Sequence, residues 1–144
     1  MLSDSDKSRL VEAARMARET AYATYSHYRV GAAVLTDGGT IHSGCNVENA
    51  AYPLGTCAEA GALAAMALAG ERIVTAVAVA GGKTDLQGDD EPWGLASPCG
   101  GCRQRIAEFA DGAACPIIIV SPDEIMLETT IGDLLPHSFN LKDN

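Results

Sequence analysis
At 144 residues, with 47% apolar and 20% charged side chains, the chain suits one domain spanning 1–144 with a single core and is too short for two comfortable ones. Its formal net charge of −9 excludes a global field for the phosphates of DNA or RNA. The five cysteines, an odd number, argue against a closed disulfide set; the first residues are polar and acidic, and the longest apolar run (60–70) is about half a membrane span, so a cytoplasmic protein with no membrane partner is expected.

Leu10, Val11, Ala14, Ala17 and Ala21 recur at helical spacing with Arg9, Glu12, Arg15 and Glu19 between them, which predicts an amphipathic first helix capped near Ser5. Residues 28–35 and 40–47 read as a hairpin around Asp37-Gly38-Gly39. An Ala-rich helix starts at Thr56 or Cys57, runs to about Ala69 and is ended by Gly70. Residues 73–80 form an apolar, β-branched strand. Residues 81–97 are read as a long acidic loop, solvated for the most part, with the only tryptophan, Trp93. A third helix covers 100–110, strands follow at 116–120 and 125–129, and a short helix from Ile131 stops at Pro136. A hairpin followed by strand–helix–strand units predicts a three-layer α/β/α sandwich on a five-stranded mixed sheet.

The chemistry is concentrated in Ser97-Pro98-Cys99-Gly100-Gly101-Cys102-Arg103-Gln104 and in Thr56-Cys57-Ala58-Glu59. Cys99 and Cys102, at i and i+3 on a first helical turn, place both sulfurs on one side. Two thiolates hold zinc poorly, and Cys57 is the natural third ligand, which leaves a fourth position open for water. Glu59 is two residues past Cys57, roughly 200° around a regular helix, which suits a proton carrier near the metal better than a ligand. Spacing alone leaves two alternatives open. One is a redox dithiol. The other is a structural zinc completed by Cys45, Cys115, His27, His42 or His137. Cys45 and Cys115 otherwise read as small core residues. Asn46 and Glu48 alternate along a predicted strand and so point to one side, either as a polar strand edge or as a hydroxyl-binding pair.

A Cys followed two residues on by Glu, and later Pro-Cys-x-x-Cys, is the pattern of zinc deaminases. From about Tyr25 to Phe139 the chain resembles the small cytidine deaminases in their all-cysteine form. The likeness rests on Tyr25-Ser26-His27-Tyr28, Val30-Gly31-Ala32-Ala33, Gly44-Cys45-Asn46-Val47-Glu48-Asn49-Ala50, Tyr52-Pro53-Leu54-Gly55, Cys57-Ala58-Glu59, residues 98–104 and Leu134-Leu135-Pro136, in that order. The resemblance implies five strands with helices on both faces. It implies Zn²⁺ held by Cys57, Cys99 and Cys102. It implies hydrolysis of cytidine and deoxycytidine in pyrimidine salvage, in which a zinc-bound hydroxide attacks C4 and Glu59 carries protons. It further implies that Asn46 and Glu48 hold the sugar, the Ala58 N–H meets the pyrimidine O2, and Tyr28 packs on the base. Tyr52 and Phe139 match positions that reach into a neighbour's site in a homotetramer. A close variant is deamination of a modified cytosine nucleoside of the blasticidin type. A non-catalytic zinc-stabilised domain would leave Glu59, Asn46 and Glu48 unexplained.

One departure stands out: many all-cysteine relatives carry arginine directly after Cys-Ala-Glu, and here the residue is Ala60. Three thiolates on Zn²⁺ leave a net −1 that makes bound water less acidic. Arg103 or Arg105, on the helix started by Cys99, is expected to supply part of the offset.

Overall fold
β3 (Val74–Lys83) is the centre of a sheet ordered β2-β1-β3-β4-β5, with β1 at Tyr28–Thr36, β2 at Ile41–Cys45, β4 at Pro116–Val120 and β5 at Ile125–Thr130. The computed structural model describes residues 1–142. β1 pairs antiparallel with both β2 and β3, β3 pairs parallel with β4, and β4 pairs antiparallel with β5. The mixed sheet follows from the connections: a tight turn joins β1 to β2, whereas α3 (Gly100–Phe109) lies between β3 and β4.

Helices cover both faces, as the sequence predicts. On one face α1 (Asp4–Glu19) packs Leu10, Val11 and Ala14 against Ala33, Leu35, Ala76, Ala78 and Ala80. On the other, α2 (Ala58–Leu68) and α3 bury Ala58, Ala62, Leu63, Met66 and Ile106 against Ala32, Val34, Val77, Val79 and Ile117. The alternation of β1 residues between these two sets is the period-2 pleat of a strand buried on both sides. A short α4 (Ile131–Leu134) closes the α2/α3 side.

Two glycines let the layers meet. A Cβ on Gly31 would fall 2.1 Å from the Ala14 carbonyl oxygen of α1. One on Gly44 would fall 2.4 Å from the Ala62 nitrogen and 2.7 Å from the Ala58 oxygen of α2. Hydrogen at these positions brings each helix backbone onto the sheet, and on the α2 side it sets the depth of the helix start that carries Glu59.

Several details depart from the sequence reading. α1 is capped by Ser3, not near Ser5: the Ser3 hydroxyl accepts from the Asp6 N–H at 3.0 Å, which puts Asp4 and Asp6 in the first turn where the helix dipole favours them. β2 ends at Cys45, because beyond it Val47 bridges instead to Tyr22 and Thr56. Cys45 is half-buried rather than a core residue. β3 continues through Gly81 and Gly82 to Lys83, since pairing with Val30, Arg29 and Tyr28 of β1 overrides the weak strand propensity of glycine. The acidic stretch after it is not simply solvated: Trp93 packs on the α1 side of the core.

Candidate active site
The two cysteine motifs converge because α2 and α3 start side by side. Cys57 is the N-cap of α2 and Cys99 the N-cap of α3, with Cys102 one turn into α3. A pair of backbone hydrogen bonds between Val47 and Thr56 fixes the chain just before Cys57, and Pro98 gives the bend before Cys99. The three Sγ atoms lie within 4.8 Å of one another. A tetrahedral site with Zn–S bonds of ~2.3 Å needs sulfurs about 3.8 Å apart, so a small contraction of this cluster fits zinc. Among the described residues no further His, Cys, Asp or Glu joins the cluster, which is the three-ligand set with one position left open. Cys115 is instead buried with its Sγ 3.7 Å from the Val74 oxygen, and His42 is paired with Glu71 at 2.7 Å.

The thiols are not electrostatically equal. The backbone N–H of Cys102 is the main influence that lowers the Cys99 pKa, and burial opposes it. Burial is the main influence that raises the Cys57 pKa, and it pushes Cys102 far up, assisted by the charge of Glu59. A divalent cation reverses this penalty by pairing with the thiolates. Arg105 Nη1 reaches to 3.8 Å from Cys102 Sγ, whereas the Arg103 guanidinium is committed to the Pro98 and Leu134 carbonyls and the Ser97 hydroxyl. Of the two arginines expected to offset the thiolate charge, Arg105 is the one the structure places at a sulfur.

Beside the cluster opens a cavity of about 600 Å³. Tyr28, Asn46, Glu48, Tyr52, Cys57, Ala58, Glu59 and Cys99 all line it, so it gathers most of the predicted site residues. Cys102 is buried behind the wall, and Phe139 stands outside, 69% exposed. Glu59 is only 4% exposed, on the first turn of α2, where it lines the cavity and lies outside the sulfur cluster. Ala58 is the first residue of α2, so its N–H has no acceptor within the helix and is available to a carbonyl.

Asn46 and Glu48 share the cavity wall but not through strand alternation. The Asn46 Oδ1 accepts from the Val30 N–H and its Nδ2 donates to the Tyr28 carbonyl, both at 2.8 Å, extending the edge of β1 with a side chain. One amide hydrogen and one lone pair remain for a ligand. Glu48 Oε1 accepts from the backbone of Tyr25 at 2.9 Å and of Ser26 at 3.1 Å. The Ser26 hydroxyl, and after it these amides, hold the Glu48 carboxyl below its usual range, so it is ionised at neutral pH. The Tyr28 ring lies on the Gly81 side of the cavity, and burial raises its phenol pKa against a smaller opposing effect of Arg18. Sequence reasoning missed Tyr25, Val79, Ala96 and Ser97 as lining residues. Tyr25 carries a signal in hindsight, for it stands in the Tyr-Ser-His-Tyr run; its ring meets that of Tyr52 edge-on at 6.3 Å.

Comparison with known proteins agrees with this geometry. A family model described as the cytidine and deoxycytidylate deaminase zinc-binding region matches residues 4–115. A cytidine deaminase of Sporosarcina psychrophila is 41% identical over 138 residues, covering 96% of this chain and 94% of that protein. The crystal structure of cytidine deaminase from Burkholderia pseudomallei superposes with a TM-score of 0.78 at 41% identity, covering 92% of this chain and 98% of that one. A blasticidin-S deaminase of Bacillus cereus is more distant, 31% identical over 128 residues, covering 88% of this chain and 87% of that protein.

Proposed function
This chain belongs to the cytidine and deoxycytidylate deaminase family, and on that premise we propose that it hydrolyses cytidine and deoxycytidine to uridine and deoxyuridine with release of ammonia. The observation that carries the reading is the buried Glu59 carboxylate beside three convergent thiols, at one end of a cavity that also presents Asn46 and Glu48. Cys57, Cys99 and Cys102 would hold zinc, which when bound supplies a Lewis acid that makes a water nucleophilic near neutral pH.

Glu59 takes a proton from the attacking water and delivers it to ring N3, which makes C4 electrophilic. The C4–O bond forms, Glu59 then carries the proton of the new C4 hydroxyl to the exocyclic nitrogen, and the C4–N bond breaks as ammonia leaves and the C4 carbonyl forms. The Ala58 N–H orients the base through O2, and Tyr28 packs against the ring. Asn46 and Glu48 receive the ribose hydroxyls with the capacity their own backbone contacts leave. An ionised Glu48 in the sugar pocket opposes a phosphate, so nucleosides are favoured over nucleotides.

The exposure of Tyr52 (77%) and of Phe139 supports a homotetramer in which each completes a neighbour's site. The five free thiols support a reducing compartment, the cytoplasm, and a place in pyrimidine salvage; no helix among the described residues is long and apolar enough to cross a membrane. The whole chain acts as one domain.

The test is the fall in ultraviolet absorbance when zinc-loaded protein meets cytidine, with Glu59→Gln in parallel. The variant should keep its zinc and lose about 10²- to 10⁴-fold in turnover. If wild type leaves cytidine and deoxycytidine intact but consumes blasticidin-S, the substrate is the modified nucleoside instead.

A further inference from the structure
Arg18 is the largest wholly buried side chain among the described residues, at 0% exposure near the end of α1, and the site described above makes no use of it. Its Nη2 donates to the Gly82 carbonyl at 2.8 Å and to Asp90 Oδ1 at 2.7 Å, and its Nη1 to Glu19 Oε1 at 3.2 Å. The guanidinium carbon sits 3.9 Å from the centroid of the Trp93 ring. Taking a guanidinium out of water is costly, and this one is offset by two ion pairs, a carbonyl and an aromatic face. Even so, Arg18 Nε and Trp93 Nε1 are buried without a hydrogen-bond partner. Such a cluster needs a reason beyond packing.

The reason lies in the path of the chain. After a small turn from Asp85 to Asp89, held by Asp85, the chain returns to bridge Thr84 at Asp90, and residues 91–99 have neither helix nor strand. This span crosses the end of β3 from one face of the sheet to the other. On the α1 face, a Cβ on Gly82 would fall 2.4 Å from the Trp93 ring. On the opposite face, a Cβ on Gly81 would fall 2.4 Å from Ala96 Cβ. The adjacent glycines thus seat the strap on both sides, and only three residues later stands Cys99. Ala96, Ser97 and Cys99 form one wall of the cavity. Arg103 ties Ser97 and Pro98 to α3 at the far end, so Arg18 and Trp93 are the near anchorage of the same wall.

We propose that Arg18, Asp90 and Trp93 are positioning residues for the active site: from the far face of the sheet they clamp the strap that carries Ala96, Ser97 and the ligand Cys99. This rests on the deaminase reading for its kinetic consequence, but not for its consequence for metal retention.

The experiment uses the full zinc-loaded chain with Trp93→Ala, Trp93→Phe and Asp90→Asn, measuring KM and kcat for cytidine and the rate of zinc loss to a colorimetric chelator. Trp93→Ala should raise both KM and the zinc-loss rate about tenfold, the scale of one desolvated cation–π contact, while Trp93→Phe restores most of each. Asp90→Asn keeps the ring and leaves the core untouched; it should raise the zinc-loss rate roughly three- to fivefold, shift the single-tryptophan emission to the red, and make zinc loss less dependent on salt than in wild type. If the folded variants lose thermal stability while KM and zinc-loss rate stay within about twofold of wild type, the clamp only holds α1 to the sheet and the proposal is overturned. Should Trp93→Ala not fold, Asp90→Asn decides alone. Should wild type not turn over cytidine, the deaminase reading fails and the chelator rates still decide the clamp.

Discussion

The guanidinium of Arg105 lies 3.8 Å from the Cys102 sulfur, one turn away on the same helix, and lines the groove between α2 and α3 that Ala60 also faces. A positive charge therefore reaches the sulfur cluster from α3, opposite Ala60 of α2, where the family resemblance leads one to expect arginine. Arg105→Ala should move the ascending limb of the pH–rate profile to higher pH and lower turnover at neutral pH by roughly tenfold, because the uncompensated thiolates make the nucleophilic water less acidic. Arg105→Lys should recover part of the loss, and an unmoved profile in Arg105→Ala would remove Arg105 from this role.

Gly44→Ala places a methyl group 2.4 Å from the Ala62 nitrogen, against helix backbone that cannot turn aside. α2 must lift, at a cost of about 1–3 kcal/mol. Since Ala58 and Glu59 begin that helix, turnover should fall by more than the stability loss explains. Denaturant midpoints and kcat, measured at a temperature where the variant is fully folded, separate the two.

Thiol chemistry should follow the local field. After metal is removed with a chelator, Cys99 is the exposed thiol whose pKa is lowered, chiefly by the Cys102 N–H, while Cys102 is buried and raised. Cys115 is buried and pushed up to about 12. Iodoacetamide followed by peptide mass spectrometry should find Cys99 modified well before Cys102 and Cys115. With zinc restored first, Cys57, Cys99 and Cys102 should all be protected. Equal rates at Cys99 and Cys102 in the metal-free protein would contradict this ordering.

Glu71 links the hairpin to the end of α2, accepting from the Thr36 hydroxyl and pairing with His42. Those hydrogen bonds, Thr36 first, hold its carboxyl below the ordinary 4.5. A depressed folded-state pKa contributes stability that is fully present above the unfolded value and is lost as pH falls through the folded one. The gap in unfolding free energy between wild type and Glu71→Gln should therefore be level from pH 7 to about 5 and shrink below about 4. A gap that widens in acid would show that the sign is wrong.

The parts of the fold written in short-range chemistry were legible. Periodicity located the helices and strands, and the Cys-x-Glu and Pro-Cys-x-x-Cys spacings located the cluster. What escaped depended on distant partners. Gly81 and Gly82 read as a break, but their place opposite β1 makes them strand. Trp93 read as part of a solvated loop, since nothing near it in the chain announces Arg18. Asn46 and Glu48 do share one cavity wall, but not for the reason read from the sequence: their orientation comes from hydrogen bonds to β1 and to residues 25–26, not from the pleat of a strand. The Arg105 contact needed the helix in three dimensions to be chosen over Arg103.

The placement of Cys57 and Cys99 at the starts of two separate helices also bears on folding. A metal joining them closes a loop of about forty residues, and pinning such a loop in the unfolded chain removes on the order of 4 kcal/mol of its conformational entropy. Both helices, however, are seated on the sheet by apolar contacts that do not involve the ligands. A bound ion would therefore join two helix starts that the core seats without it, and it is expected to act as a cross-link that slows global unfolding.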